Sequence, residues 1–185
     1  MKQKQKNIYV VDTCVLIDDP DIFYKLGDSQ IVVPTAVIKE LDCLKRNPDP
    51  KEHRAMAARK VARTLDMLGS HQDIAEGAKT STGSTVRIIN RHVPIDDLAS
   101  SADNRIVGTA LKLKEETDSN VILVSADGNM RNVTRSYGIE ATSYPLHHKK
   151  RTSGPARSSS TTGAAWNLIA AAVVLILFVL FIGTK

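Results

Sequence analysis

The sequence predicts a three-layer α/β/α sandwich around a central, mostly parallel sheet, followed by one C-terminal transmembrane helix. Two observations predict the sandwich: short, β-branched apolar runs recur along the first 148 residues, and helix-like stretches alternate with them. Such runs fit strands that are buried on both faces, and their alternation with helices is typical of a parallel sheet covered by helices. A third observation, a charge-free apolar segment near the end of the chain, predicts the transmembrane helix.

The first predicted strand, Ile8–Val11, is a run of four residues that ends at Asp12. The segment 18–21 reads Asp-Asp-Pro-Asp. Aspartate and proline favour turns, so we expect a turn here, with its acids stabilising the start of a following helix.

The second predicted strand, Ile31–Val33, leads directly into a helix over Pro34–Arg46. Proline is tolerated in the first turn of a helix, where its missing N–H would have no partner. A longer helix is predicted over Glu52–Leu68, because apolar residues such as Val61 and Leu65 recur there at helical spacing.

The second half of the domain repeats the same alternation. Strands are predicted at Val86–Ile89 and Val121–Val124, and a less apolar run at Ile139–Thr142 predicts a fifth strand. Helices are predicted over Asp103–Glu116 and Asn129–Tyr137. The order of elements therefore predicts crossover connections between parallel strands.

Residues 164–183 form an apolar segment of 20 residues that carries no charge. At about 1.5 Å per residue, a helix of this length spans the roughly 30 Å hydrocarbon core of a bilayer. A buried core helix is the alternative, but every face of the segment is apolar and no polar stripe is left. Because only Thr184 and Lys185 follow, the pattern predicts a tail anchor.

The residues before this segment predict the domain boundaries and the topology. Residues 149–163 are basic and rich in Ser, Thr and Gly, which is typical of a flexible linker, so residues 1–148 are the predicted globular domain. Basic residues flanking a membrane helix stay on the cytoplasmic side. The cluster Lys149-Lys150-Arg151 therefore predicts a single-pass membrane protein whose domain faces the cytoplasm.

Charge and cysteine content exclude two classes of protein. The net charge is +5, but five of the 25 basic residues and none of the 20 acidic residues follow position 148. Residues 1–148 are therefore neutral, which argues against a strongly basic domain that coats nucleic acid. Two cysteines are too few for a disulfide scaffold.

Four acidic residues lie close to predicted strands. Asp12 and Asp127 follow the first and fourth strands, Glu40 lies in the helix after the second strand, and Asp103 begins the helix before the fourth strand. Ligands of parallel sheets bind beyond the carboxyl ends of the strands, so these side chains can meet at one edge. Each aspartate by itself could instead be a helix N-cap. Glu40 lies too deep in its helix to cap it and needs a cation or a basic partner. Four acids together favour Mg²⁺ or Mn²⁺, with structural ion pairs as the alternative.

Four blocks of the sequence resemble PIN-domain ribonucleases, and most of all the PIN domain at the front of PhoH-type ATPases. The blocks are Ile8–Pro20, Val32–Asp42, Ala102–Ile106 and Val121–Asp127. They stand in the family's order and cover most of residues 7–142. The resemblance implies a PIN-like α/β/α sandwich.

The resemblance also implies the roles of the acids. The catalytic metal ligands, which would bind Mg²⁺ or Mn²⁺ and activate a water for cleavage of single-stranded RNA, would be Asp12, Glu40, Asp103 and Asp127. Ser125 matches a small polar residue that supports the fourth acid. The family often has Asn where this chain has Cys14 and Ala102. Losing polar groups behind metal ligands typically costs 10–100-fold in metal affinity or activity.

Basic residues near the acids are candidates for substrate binding. Arg105 and Arg131 each follow one of the acids at a helix start, so either could hold a phosphate or pair structurally with a neighbouring acid. We group both with Ser125 as predicted substrate-binding residues. A further set could track an RNA backbone or form a solvated helix face balanced by nearby acids: Lys45, Arg46, Arg54, Arg59, Lys60 and Arg63.

The sequence therefore predicts a membrane-tethered, metal-dependent endoribonuclease that acts on single-stranded RNA. The alternative is a catalytically weak PIN scaffold that serves as a membrane-bound RNA- or protein-binding adaptor, and a toxin-type PIN ribonuclease is a further alternative. The resemblance favours a homodimer. No GxxxxGK[ST] motif occurs in the chain, which predicts that ATP is not a partner.

Overall fold

A six-stranded sheet forms the centre of the computed structural model, which describes residues 6–46, 52–70 and 72–145. Its strands are β1 (Ile8–Val11), β2 (Gln30–Pro34), β3 (Ala78–Lys79), β4 (Thr85–Ile89), β5 (Val121–Val124) and β6 (Glu140–Thr142). Across the sheet they lie in the order β3, β4, β2, β1, β5, β6. Every neighbouring pair is parallel except β3 with β4, so the predicted α/β fold with a mostly parallel sheet is confirmed.

Strand β1 lies in the middle of the sheet, between β2 and β5. The register pairs Val10 with Val32 on one side and Val11 with Val124 on the other. Because these pairs are parallel, the carboxyl ends of the three strands lie at the same edge of the sheet. Asp12, which follows β1, and Ser125, which follows β5, are therefore neighbours.

Helices connect the strands. In the described residues these are α1 (Thr13–Asp18), α2 (Thr35–Lys45), α3 (His53–Gly69), α4 (Ser101–Glu116) and α5 (Gly128–Ser136), with a 3-10 turn at Ile22–Tyr24. Helix α1 begins one residue after β1, and α2 begins directly after β2. Both helices therefore start at the carboxyl edge of the sheet. Helix α3 packs against α1 and α2, and α4 packs against α2 and α5.

The core lies on both sides of the central strands. Every residue of β1 and of β5 is buried, which requires that both faces of the sheet be covered there. The predicted inner face of α3 is also buried, including Ala57, Val61 and Leu65. Each fully buried Val or Leu side chain contributes roughly 1.5–3 kcal/mol relative to exposure, so this packing is what fixes the helices on the sheet.

Helix α4 is held against the segment before it by a close backbone contact. The Val93 N–H donates to the Gly108 carbonyl at 3.0 Å, and a Cβ atom at position 108 would lie 2.1 Å from the Val93 carbonyl oxygen. Nearer the start of the helix, the buried Asn104 side chain accepts from the Leu98 N–H at 3.0 Å and donates to its carbonyl at 2.9 Å. These contacts fix the first turn of α4, which carries Asp103.

Two predicted helices begin one residue later in the structure, because the expected first residue is the N-cap. Pro34 is the N-cap of α2, and the side chain of Glu52 caps α3 by accepting from the Ala55 N–H at 2.6 Å. Helix α4 instead begins two residues earlier than predicted, at Ser101.

Helix α1 and strand β3 are not predicted by the sequence pattern. The predicted turn at 18–21 begins where α1 ends, at Asp18. Asp21, the N-cap of the 3-10 turn, makes no side-chain cap hydrogen bond, but Asp19 Oδ1 accepts from the Asp21 N–H at 3.2 Å at the start of that turn. Both acids also form ion pairs, Asp19 with Lys25 and Asp21 with Lys60, each at 2.6 Å.

The predicted linker, residues 149–163, and the predicted transmembrane helix, residues 164–183, lie outside the described residues. In the part of the chain that the structure describes, no helix has both the length and the apolar character to cross a membrane. The membrane anchor, the cytoplasmic orientation and the homodimer stay predictions.

Candidate active site

Four acidic side chains line one cavity at the carboxyl edge of the sheet. The cavity has a volume of about 570 Å³, and we call it the acidic cavity. The acids come from four different elements, the end of β1, the second turn of α2, the first turn of α4 and the start of α5, and they are Asp12, Glu40, Asp103 and Asp127. The structure therefore brings together all four acids that the sequence predicts as metal ligands.

Asp12 is the most buried of the four, with 6% of its surface exposed. Its Oδ1 accepts from the Thr13 N–H at 2.6 Å. Its Oδ2 accepts from the Ser125 hydroxyl at 2.7 Å and from the Cys14 thiol at 2.8 Å. A buried carboxylate without partners would cost several kcal/mol, and these three donors provide the compensation.

Glu40 is bound to the residue that follows Asp12. The Thr13 hydroxyl donates to Glu40 Oε2, which joins the first turn of α1 to the second turn of α2. Thr13 is buried, so its hydroxyl is held in place by packing. The sequence analysis does not single out Thr13, although its position directly after an acid at a strand end is the available signal.

Asp103 lies in the first turn of α4 but does not cap that helix, which corrects the N-cap alternative for this residue. The cap is Ser100, whose Oγ accepts from the N–H groups of Ala102 and Asp103 at 3.2 and 3.3 Å. Burial raises the pKa of the Asp103 carboxyl above its ordinary value of 3.8, and the charges of the other three acids raise it further. The other three carboxylates therefore act electrostatically on Asp103.

Asp127 is the N-cap of α5 and also lines the acidic cavity. Its Oδ1 accepts from the Asn129 N–H at 2.7 Å and from the Met130 N–H at 3.4 Å. Among the described residues, no donor is bound to its Oδ2. Capping and metal binding are therefore compatible in one side chain, because they use different oxygens.

Ser125 connects the first and the fourth acid. It is fully buried, its hydroxyl donates to Asp12, and it accepts from the Asp127 N–H at 3.0 Å. This position fits the predicted support of the fourth acid. It leaves the hydroxyl directed at the two acids and away from solvent, although we grouped Ser125 with the substrate-binding residues.

Cys14 contributes a polar contact at a position where the family often has Asn. Besides donating to Asp12, its sulfur accepts from the Ala126 N–H at 3.2 Å. Burial raises the pKa of the Cys14 thiol to about 12, and the charge and hydrogen bond of Asp12 act in the same direction. The thiol is therefore protonated at neutral pH and can donate to Asp12. Ala102, the other departure, lines the cavity without a polar side chain.

The two predicted phosphate-binding arginines are placed differently. Arg105 is exposed and lines the acidic cavity. The Arg131 guanidinium donates to the Ser125 carbonyl at 2.7 Å, so its described contact is with the backbone and not with a neighbouring acid, and Arg131 is not part of the cavity lining. Two further cations line the cavity: Arg54, from the predicted basic set, and Lys39, which the sequence analysis does not single out.

The donor set of the acidic cavity fits Mg²⁺ or Mn²⁺, which prefer oxygen ligands. The raised pKa of Asp103 shows that like charges repel one another here, and a divalent cation would relieve that repulsion. Within residues 6–46, 52–70 and 72–145, no three His, Cys, Asp or Glu side chains form a ready-made ligand cluster. The four acids share a cavity, and a hard cation that keeps several of its waters could bind through one or two of them.

Comparison with known proteins identifies relatives of the whole described region. The sequence profile of the PIN domain matches residues 9–145. Protein PhoH2 of Bacillus subtilis is 35% identical over 144 residues, which cover 72% of this chain and 32% of that protein. Protein PhoH2 of Thermobispora bispora is 30% identical over 145 residues, which cover 76% and 32%. The chain therefore spans about a third of the length of these curated relatives.

Among solved structures, a domain of a functionally unknown protein from Methanocaldococcus jannaschii has a TM-score of 0.44 and 22% sequence identity. The similarity covers 78% of this chain and 95% of that chain. The profile match carries the assignment, because it extends over more than half of the chain and includes all four acids. The chain belongs to the PIN domain family, whose members are typically metal-dependent nucleases.

Proposed function

We propose that this protein is a membrane-tethered, divalent-metal-dependent endoribonuclease that hydrolyses phosphodiester bonds of single-stranded RNA. The observation that carries the proposal is the convergence of four carboxylates from four separate elements on one cavity. Burial raises the pKa of Asp103 and the charges of Asp12, Glu40 and Asp127 raise it further, so placing the four acids together is unfavourable in the absence of a cation. Such an arrangement is understandable if a cation is bound there.

The residues that would hold the metal are the four acids of the cavity. The chemistry that a bound divalent cation supplies is a more acidic water and neutralisation of charge on the phosphate. The protein's own contribution is to hold the acids in position. Three donors fix Asp12, the Thr13 hydroxyl fixes Glu40, and the two N–H groups at the start of α5 fix Oδ1 of Asp127.

Cations at the wall of the acidic cavity support a phosphodiester substrate. Lys39, Arg54 and Arg105 line the cavity together with the acids. A phosphate placed near the acids would therefore also lie near positive charge, which favours its binding and offsets charge that develops during hydrolysis. Few aromatic side chains are available for base stacking, since aromatic residues make up 4% of the chain. This composition favours cleavage without strong sequence readout.

Asp127→Asn is the sharpest test, because the cap and the metal ligand use different oxygens of one side chain. Asn retains an oxygen that caps α5 about as well as Asp does, so the fold should be unaffected. It loses the charged oxygen that faces the cavity, so we expect cleavage of a single-stranded RNA with Mg²⁺ or Mn²⁺ to fall by roughly 10²-fold or more.

Asp73→Asn is the matched control. Asp73 Oδ1 also accepts from a nearby backbone N–H, that of Ala75 at 2.9 Å, but Asp73 lies outside the acidic cavity. This variant should cleave RNA like the wild type. Full activity in Asp127→Asn would refute the role of that residue, and full activity after separate replacement of each of the four acids would refute the nuclease proposal in favour of an adaptor.

A further inference from the structure

Six of the described cations have side chains that form neither an ion pair nor a hydrogen bond with a described residue. Lys and Arg side chains elsewhere in the described chain form ion pairs or donate to carbonyl groups, or have other contacts. The side chains that form no ion pair or hydrogen bond with a described residue are Lys39, Arg46, Arg54, Arg63, Lys79 and Arg105. A protein does not need unpaired cations for its fold, so their location is informative.

Four of these six cations line two neighbouring concave surfaces. Lys39, Arg54 and Arg105 line the acidic cavity. Arg63 lines a second depression of about 550 Å³ between α1 and α3, which we call the α1–α3 groove. Its lining residues are Ile17, Asp18, Pro20, His53, Met56, Ala57, Arg59, Lys60 and Arg63. The two surfaces adjoin at the first turn of α3, since His53 faces the groove and Arg54 faces the acidic cavity.

Helix α3 concentrates positive charge in a domain whose total charge is balanced. It carries four cations and one acid, Asp66, whereas residues 1–148 as a whole are neutral. Asp66 lies on another surface of the helix, beside Leu65 and Gly69, and does not line the α1–α3 groove. Glu52 is occupied as the cap of α3. Of the nearby acids that could balance this helix face, Asp49 lies outside the described residues. The groove lining holds one acid, Asp18, against Arg59, Lys60 and Arg63, so positive charge is in excess on this side of α3.

Two of the four α3 cations are held in place and still line the groove. The Arg59 guanidinium donates to the Lys45 carbonyl at 3.1 Å, and Lys60 forms an ion pair with Asp21 at 2.6 Å. The side chains of the Lys60–Asp21 pair are about half exposed, and such pairs contribute about 0–1 kcal/mol, so a phosphate can compete with Asp21 for Lys60. Arg54 and Arg63 are about 14 Å apart along the helix at 1.5 Å per residue.

We propose that a single-stranded RNA leaves the acidic cavity across the first turn of α3 and continues through the α1–α3 groove. Arg54 contacts its backbone at the cavity and Arg63 contacts it in the groove, several nucleotides from the bond that is cut. Met56, which is 55% exposed in the groove, offers an apolar surface to a base. This proposal rests on the proposed nuclease function only in assuming that the RNA is cut in the acidic cavity.

The test measures binding without cleavage. The full chain, purified in a mild non-ionic detergent, is titrated into a fluorescently labelled single-stranded RNA in EDTA at several salt concentrations. For single strands the slope of log affinity against log salt is about 0.7 per phosphate contact, so Arg63→Gln should lower the slope by about that amount and weaken binding severalfold. Lys79→Gln removes an equally unpaired, exposed cation from β3 and should change neither quantity.

A length series locates the contact. A short oligonucleotide that occupies only the acidic cavity should bind Arg63→Gln and wild type equally, and the difference should appear as the RNA is lengthened. If RNA binding depends on Arg63 but no metal supports cleavage, the proposed RNA path is supported and the proposed nuclease activity is refuted. Equal salt slopes for Arg63→Gln, Lys79→Gln and wild type would overturn the path, as would Arg63-dependent binding to phosphatidylserine vesicles with no such effect on RNA.

Discussion

At the residue scale, Asp127 divides its two oxygens between the fold and the acidic cavity. It caps α5 through Oδ1 alone, whereas both oxygens of Asp12 accept hydrogen bonds from donors at the carboxyl edge of the sheet. An N-cap contributes about 1 kcal/mol, and Asn provides it about as well as Asp, so capping alone does not require an acid at position 127. A cap-like position in the sequence is therefore weak evidence against a catalytic role.

Cys14→Ala should weaken Mn²⁺ binding by about tenfold, the lower end of the range for residues that position metal ligands. The physical reason is that Asp12 Oδ2 would lose one of its two donors and keep only Ser125. Cys14→Ser and Cys14→Asn retain a donor and should bind Mn²⁺ almost as the wild type does. Calorimetric titration with Mn²⁺ in the absence of RNA measures the effect independently of cleavage.

Cys43→Ala is the control for Cys14→Ala, because Cys43 is exposed and lines the same cavity without a hydrogen bond to any of the four acids. It should leave the Mn²⁺ affinity unchanged. If Cys14→Ala bound Mn²⁺ as tightly as Cys43→Ala, the thiol would be a packing group and the hydrogen bond to Asp12 would have no role in metal binding.

Asp103→Asn should raise the free energy of unfolding of the metal-free protein at pH 7. Burial and the neighbouring acids raise the pKa of Asp103 in the folded state, so the folded state holds the proton more tightly than the unfolded state. Protonated Asp103 therefore favours the folded state. This contribution to the free energy of unfolding is fully present below the ordinary pKa of 3.8 and is lost as the pH rises through the raised pKa of the folded state. The gain of the variant over wild type should therefore vanish as the pH falls below 3.8.

Two effects act in opposite directions on the free energy of unfolding of Asp103→Asn. A negative charge in the first turn of α4 interacts favourably with the helix dipole, by about 0.3–1 kcal/mol, and Asn loses that interaction. Burial and like charges both raise the pKa of Asp103, and we expect these two effects together to exceed the dipole interaction. Urea unfolding in EDTA from pH 3 to pH 8 checks the sign, with Asp96→Asn as an exposed control in the preceding loop. A variant less stable than wild type at pH 7 would show that the dipole dominates.

At the element scale, the sequence predicts the long helices and the central strands, and the reason is their periodicity. Strands β1 and β5 have the predicted bounds because each is a continuous apolar run that ends at a polar residue. Helix α1 is not predicted because it has six residues, too few to show a periodic pattern, and its start depends on Asp12 as cap. Strand β3 has two residues, and only its pairing with β4 defines it.

Gly108→Ala should destabilise the protein by up to about 2 kcal/mol. Replacing Gly by Ala inside a helix normally gains about 1 kcal/mol, but overpacking costs roughly 1–3 kcal/mol. The new Cβ would lie 2.1 Å from the Val93 carbonyl oxygen, and backbone cannot yield without loss of the Val93–Gly108 hydrogen bond. The segment that leads to Asp103 would shift with it, so RNA cleavage should also fall.

Gly69→Ala is the matched control for Gly108→Ala. It makes the same change at the end of α3, where the new Cβ would meet only Ile74 atoms at an ordinary distance of 3.9 Å. It should be neutral or slightly stabilising. Urea unfolding followed by circular dichroism compares the two variants, and equal stability of both would mean that the segment at Val93 moves aside freely.

At the scale of the whole molecule, the convergence of the four acids is predictable, and the way they are held is not. Parallel strands end at one edge, so acids after β1 and β5 must approach each other whatever the details. The bond between Thr13 and Glu40 and the contacts of Cys14 depend on how α1 and α2 pack, which no local pattern encodes. The different fates of Arg105 and Arg131 follow from tertiary packing in the same way.

The full chain should fractionate with membranes and resist extraction by high salt, because residues 164–183 are apolar and uncharged. Removal of residues 164–185 should release the protein into the soluble fraction. Protease added from the non-cytoplasmic side should leave residues 1–148 intact, since basic residues precede the apolar segment. Recovery of the full chain in the soluble fraction without detergent would refute the tether.

The hydrogen bond from Ser125 to Asp12 joins residues that are 113 positions apart. During synthesis the chain therefore carries Asp12 long before Ser125 and Asp127 exist, by on the order of ten seconds at 5–20 residues per second. A nascent chain that ends before Asp127 cannot contain all four acids. Under the proposed function, the ribosome and its messenger are thus exposed to a catalytically incomplete protein until β5 has emerged and paired with β1. If the proposed function is correct, the position of the last acid in the sequence would delay the onset of activity without a separate inhibitor.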